Sequence, residues 1–171
     1  PTDIAQLSQF STSIAFLSQG LPFMQAGQEF LRSKNGDTNS YKSSDAINSL
    51  KWDTRKSNMA TVNYYKGLIA LRKAHPAFRM TTTDQVKSNL KFSNSPDGTI
   101  VYTLNGAAVK DKAATIVVIH NANVGEQSIS LPKGGSWSVL VDNGKAGVSV
   151  IRKVTGDTLK VAGRATVVLT Q

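Results

Sequence analysis

Gly20-Leu21-Pro22-Phe23-Met24-Gln25-Ala26-Gly27 is a short apolar run held between two glycines. It reads as one buried β-strand over 21–26, with Pro22 near its start, where a missing N–H is tolerable. Before it, Ile4, Leu7, Phe10, Ile14 and Leu17 recur at spacings of 3, 3, 4 and 3. This is one face of a helical period and predicts a helix over 2–19. Thr2 suits the N-cap, Asp3 the positive N-terminal end and Gly20 the stop. After it, Met59, Val62, Tyr65, Leu68, Ile69 and Arg72 predict a second helix over about 58–75, closed by Pro76. A helix, one strand and a helix leave that strand with two unpaired edges, which native folds cover. Residues 1–80 are therefore expected to be a piece of a larger parallel α/β sheet whose other strands lie upstream. They are also expected to need that partner to cover the apolar faces of both helices.

From about residue 84 the period changes from helical to alternating. Ile100, Tyr102 and Leu104 alternate, as do Ile129 and Leu131, Trp137, Val139 and Val141, Val148 and Val150, Leu159 and Val161, and Val167 and Leu169. Ile116 to Ile119 is a continuous apolar run, expected of a strand covered on both faces. Turn signals separate these segments: Pro96-Asp97-Gly98, Asn105-Gly106, Gly134-Gly135, Asp142-Asn143-Gly144 and Gly156-Asp157. Short strands at this spacing predict an antiparallel β-sandwich over 81–171. Between the two halves in character lies 27–57, a polar stretch too long for an ordinary connection and too rich in aromatic and amide side chains for a linker.

Composition excludes several chemistries. The 171 residues are 40% hydrophobic and 18% charged, enough to build a core. No cysteine occurs, which removes disulfides, thiolate catalysis and cysteine zinc sites. No apolar run is long enough to span a bilayer. The first residue is Pro1, with no Met and no signal peptide in view, so a processed or partial product is expected. The net charge of +9 divides into 10 basic and 5 acidic residues in 1–80 and 10 basic and 6 acidic in 81–171. Spread this evenly, it makes no basic stripe and argues against nucleic acid as a partner.

The string Gly20 to Phe30, with Pro22, Gly27 and Glu29, resembles the eighth strand and following turn of the alpha-amylase family of glycoside hydrolases. The continuation Leu31-Arg32-Ser33-Lys34, Asn39-Ser40-Tyr41, Ser44-Asp45, Asn48 and Trp52 resembles the type I pullulanases more narrowly, as does the helix from Asn63 to Phe78. The resemblance implies α/β plus all-β architecture: the last strand and helices of a (β/α)8 TIM barrel in 1–80, then a C-terminal antiparallel β-sandwich in 81–171. It implies hydrolysis of α-1,6-glucosidic links in pullulan and branched starch by a retaining mechanism. That mechanism needs two carboxyl groups roughly 5 Å apart. In the family these follow strands four and five, with a stabilising Asp after strand seven, so no catalytic residue is assigned to this chain. The partners implied are an α-glucan and the upstream barrel segment. No cofactor is expected in this chain, with calcium left open elsewhere in the full-length enzyme. A secreted or cell-surface bacterial location is implied, with the cytoplasm left open.

Within this frame Asp45 and Asn48 are the substrate-binding candidates. A carboxylate accepts from two sugar hydroxyls, and an amide both donates and accepts. In the family an Asp of this loop contacts a glucose on the non-reducing side of the cut bond, and Asp45 occupies that position. Some members carry Arg four residues later, where this chain has Ser49. Tyr41 is a candidate stacking face, and Trp52 is expected to pin the loop. Gln28, Glu29 and Arg32 are expected to brace it. Asp37 with Asn35, Gly36 and Asn39 lacks the spacing of a calcium loop, and His75 and His120 have no partner motif, so no metal site is assigned. Two other readings remain open: a non-catalytic carbohydrate-binding module and a basic interaction module. The β half offers only Tyr102, Phe92 and Trp137 as a binding platform.

Overall fold

The computed structural model describes residues 3–132 and 135–171. Thr2 and Gly134, expected at a helix cap and a turn, lie outside the described residues. Two long helices, α1 (Ile4–Leu17) and α4 (Met59–Ala74), enclose a stretch carrying the short helices α2 (Asp45–Asn48) and α3 (Thr54–Ser57); α5 (Thr83–Asn89) leads into the strands. These are β1 (Leu90–Phe92), β2 (Thr99–Asn105), β3 (Thr115–Asn121), β4 (Gln127–Ser130), β5 (Ser136–Asp142), β6 (Lys145–Ala146), β7 (Arg152–Thr155), β8 (Thr158–Val161) and β9 (Ala165–Thr170). All pairings are antiparallel. The larger sheet runs β1-β2-β3-β9-β5, with β6 and β7 both on the outer edge of β5; β4 and β8 form a second sheet.

Each face of the larger sheet has its own core. Val117 and Ile119 of β3, Val167 and Leu169 of β9, and Trp137 and Val139 of β5 pack with Ile129, Leu159 and Val161 of the small sheet. Ile116, Val118 and Val168 point the other way and pack with Phe16, Leu17, Tyr65, Leu68 and Leu71 of the helices. The run in β3 is continuous because both of its faces are covered. The helices therefore do not stand bare in this chain, as the sequence suggests they would: the sheet and the helices share one core.

Three expectations are corrected. Residues 21–25 form no strand; Leu21 and Phe23 are 99% and 93% exposed. A strand needs a neighbour's backbone, and every ladder among the described residues is formed within 90–170. Val148 and Val150 are exposed and outside any strand. β6 and β7 pair as separate pieces on one edge of β5, with 147–151 looping between them, while on the other edge, against β9, β5 carries a bulge between Val139 and Val141. The same bulge turns Val141 towards the helices, off the face shared by Trp137 and Val139. Finally, α1 buries Thr12, Ser13, Phe16 and Leu17 and leaves Ile4 exposed, and Ile69 of α4 is also exposed.

The polar face of α1 is buried because α4 meets it with phenols. Tyr65 Oη lies 2.5 Å from Thr12 Oγ1 and 3.0 Å from Ser8 Oγ, and Tyr64 Oη lies 2.7 Å from Ser13 Oγ. Burial pushes the Tyr64 phenol up to about 12. The end of α1 is held as tightly. Arg72 donates to the carbonyls of Phe16 (2.8 Å), Ser18 (2.7 Å) and Gly20, and Tyr102 donates to that of Leu17 (2.9 Å). A guanidinium among carbonyls that have lost their helical donors is a C-terminal cap supplied from another helix. Burial first, and then the charge of Arg79, hold Arg72 below its ordinary pKa.

Candidate functional site

The long polar stretch is a coiled loop built on side-chain anchors. Gly27 starts it in a left-handed conformation, φ 91°, and a Cβ there would sit 2.9 Å from Arg32 Cδ and Leu50 Cδ2. Glu29 accepts from the Gly27 N–H at 3.0 Å, closing the turn on itself. Gln28 donates to Thr12 Oγ1 at 3.1 Å and so ties the turn to α1. Arg32 donates to the carbonyls of Ala26 (3.4 Å) and Asn48. All three expected braces thus contact the loop or its support.

Asn48 is the hub. Its Nδ2 donates to the carbonyls of Ser40 (2.7 Å) and Ser43 (2.8 Å), and its Oδ1 accepts from Lys34 Nζ at 2.6 Å. Lys34 Nζ also donates to Ser40 Oγ at 2.7 Å. The amide of Asn48, expected at a sugar, is spent on the loop in this structure. Asp37 caps the same turn, accepting from Asn39 N–H at 2.9 Å and from Ser43 Oγ. The Ser43 hydroxyl, then the Asn39 amide, hold the Asp37 carboxyl below its usual range. A turn-capping carboxylate is the physical role found for Asp37.

What this frame leaves outward are Asp45 and Tyr41. Asp45 opens α2, is exposed, and takes no side-chain hydrogen bond from the described residues. Tyr41 is 75% exposed, with Lys42 Nζ 5.4 Å from its ring centre. Trp52 is 62% exposed and leans on buried Phe30, ring centres 5.5 Å apart. In the β half Trp137 and Tyr102 are buried and Phe92 is exposed, so those three form no flat aromatic platform.

Other polar groups resolve into local pairs. His75, at the end of α4, bonds Asp111 Oδ1 through Nδ1 at 2.8 Å; Asp111 also accepts from the Ala77 and Ala113 N–H groups. The two lie 36 residues apart and were not paired by sequence reasoning. Glu126 pairs with Lys160 at 3.2 Å on the surface. Among the described residues no group of three or more His, Cys, Asp or Glu could hold a metal, and no helix is long and apolar enough to cross a membrane.

Known proteins match this arrangement. Residues 86–145 match the family model described as "Pullulanase, all-beta domain". The pullulanase of Bacillus subtilis (strain 168) is 39% identical over 134 residues, covering 78% of this chain and 19% of that protein. The solved pullulanase from Bacillus acidopullulyticus superposes with a TM-score of 0.92 at 35% identity, over 98% of this chain and 20% of that one. The type I pullulanase from Bacillus subtilis str. 168, solved with maltose, gives 0.89 at 35% identity, over 99% and 24%. The chain thus spans about a fifth to a quarter of the length of these relatives. Fold and matches define the class: helices packed on antiparallel β-sheets, arranged as in a part of the solved pullulanases. Within that class the chain is similar to pullulanases, as a partial, C-terminal-like segment of them.

Proposed function

We propose that this chain serves a pullulanase that hydrolyses α-1,6-glucosidic links in pullulan and branched starch, and that it supplies one wall of the substrate cleft. The carrying observation is the contrast within one loop: Asn48, Lys34, Asp37 and Arg32 are all committed inward, while Asp45 and Tyr41 are held outward and unspent. Asp45 accepts hydroxyl pairs of a glucose on the non-reducing side of the cut bond, and Tyr41 offers a ring face beside it. The catalytic carboxylates of the retaining mechanism come from the polypeptide upstream.

In the same reading, residues 1–80 close a (β/α)8 barrel and 81–171 form its C-terminal β domain. The segment 21–26 becomes the eighth strand once its neighbours are beside it. Support comes from the exposed Leu21, Phe23 and Ile4, apolar groups that an adjoining sheet and helix layer would cover. Active sites of such barrels lie at the C-terminal ends of the strands, where the 27–57 loop would stand.

The test assays the purified chain and the longer protein containing it on pullulan, with linear α-1,4 glucan as the control. The reading expects new reducing ends from pullulan with the longer protein and none with the chain. Turnover by the chain alone, or none by the longer protein, overturns it.

A further inference from the structure

We propose that Lys34 is a positioning residue of this loop: through Asn48 and Ser40 its ammonium sets where Asp45 and Tyr41 stand, and so sets how tightly glucan is held. The inference rests on the reading of the loop as a glucan contact. Lys34 is half-buried and directs its charge at two neutral oxygens, Asn48 Oδ1 at 2.6 Å and Ser40 Oγ at 2.7 Å. Among the described residues no carboxylate forms a salt bridge with it, and its charge acts at longer range on the Asp37 carboxyl. Withdrawing an ammonium from water for neutral acceptors is unfavourable unless the bonds are strong, and charge-assisted bonds of this length are.

The consequence is directional. With Lys34 on its oxygen, the amide of Asn48 has only one orientation, and its Nδ2 must face the carbonyls of Ser40 and Ser43. Those bonds join the turn Ser40–Lys42, which carries Tyr41, to α2, which starts at Asp45. The Asn48 N–H reaches back to the Ser44 carbonyl at 3.0 Å and the Ser49 N–H to that of Asp45 at 2.9 Å, so the hub also closes α2. A helix of four residues has little stability of its own. Asp37 also holds this turn through Asn39 and Ser43, and Arg32 holds the Asn48 carbonyl, but it is the Asn48 amide, fixed by Lys34, that ties the turn carrying Tyr41 to α2.

The experiment is a double-mutant cycle in the longer enzyme on pullulan. Lys34→Met keeps the stem and removes the donor; it should raise KM about 10-fold, the loss expected of a charged hydrogen bond, with kcat changed less than about 2-fold. In an Asp45→Ala background the same change should add little, because contacts acting through one group are not additive. Ser40→Ala, which removes one acceptor, should raise KM by about 3-fold. Hydrogen exchange on the variants should show faster exchange at the Asn48 and Ser49 amides and unchanged protection in α4. If Asp45→Ala weakens binding but Lys34→Met and Ser40→Ala do not, Lys34 has no positioning role and the substrate-loop reading stands. If Asp45→Ala is itself silent, the substrate-loop reading fails and this inference with it. Additive effects of Lys34→Met and Asp45→Ala overturn the inference, as does unaltered exchange in α2. If Lys34→Met does not fold, Ser40→Ala carries the cycle.

Discussion

Asp45 and Asn48 open and close the same four-residue helix and do opposite things. The amide is saturated by Lys34, Ser40 and Ser43, while the carboxylate is exposed and takes no side-chain hydrogen bond from the described residues. Their variants should therefore separate. In the longer enzyme Asp45→Ala should lower kcat/KM on pullulan by about 10- to 150-fold, the equivalent of losing a charged hydrogen bond worth roughly 1.5 to 3 kcal/mol. Its melting temperature should stay put, since no contact within the fold is lost. Asn48→Ala should instead loosen 40–49 and lower both substrate affinity and protection of that segment from exchange. Paired steady-state kinetics and thermal melts decide it; an Asp45→Ala protein that melts many degrees lower would make Asp45 a structural residue. Asp45 and Tyr41 could be chosen from residue type and place. The inward turn of Asn48 could not, because its partners span the loop from 34 to 43.

Between elements, the contact of α1 with α4 is where hydroxyls and a buried cation replace an apolar seam. Arg72→Met should cost about 3 kcal/mol, because three carbonyls at and just past the end of α1 lose a charged donor. For a chain of this size that lowers Tm by roughly 6–12 °C in a calorimetric scan; a change under about 2 °C would mean water caps the helix as well. On the opposite side α4 rests on the β5–β6 hairpin, and Gly67 is the point of closest approach. A Cβ there would lie 2.0 Å from the Ala146 carbonyl oxygen. Gly67→Ala gains helix propensity but must push α4 off the hairpin. A net loss of about 1–3 kcal/mol in urea unfolding is expected; a stabilised variant would refute the close contact.

The three layers, helices over the large sheet over the small one, meet a titratable group at one seam. His120 of β3 faces the helices, its Nδ1 2.9 Å from Thr166 Oγ1 and its ring edge-on to Phe10 at 6.3 Å. Burial lowers its pKa from 6.5 to about 4. The unfolded chain then binds a proton that the folded chain refuses, so stability is full above pH 6.5 and declines as pH falls towards 4. The loss should reach about 2 kcal/mol by about pH 5, and His120→Asn should flatten that part of the curve. Urea unfolding at a series of pH values is the check, and a wild-type curve flat from about pH 7 to 5 would refute it. The layering also accounts for the shared core: the helices cover a sheet face that would otherwise be as bare as Leu21 and Phe23.

Periodicity and punctuation were enough to place both long helices, the doubly covered strand 115–121 and an antiparallel β half, because these follow from local spacing of apolar residues. A strand-like run at 21–26 with no mate was also readable, and the structure leaves it unpaired for the same reason: pairing is a property of two segments. The remainder needed distant partners. Thr12 and Ser13 are buried only because Tyr64 and Tyr65 arrive some 50 residues later with hydroxyls to meet them. The bulge at Leu140 is fixed by register against β9, and the His75–Asp111 pair by the docking of α4 on the β2–β3 turn. A hydrogen bond is decided by what stands within about 3 Å, and residue order alone does not carry that distance.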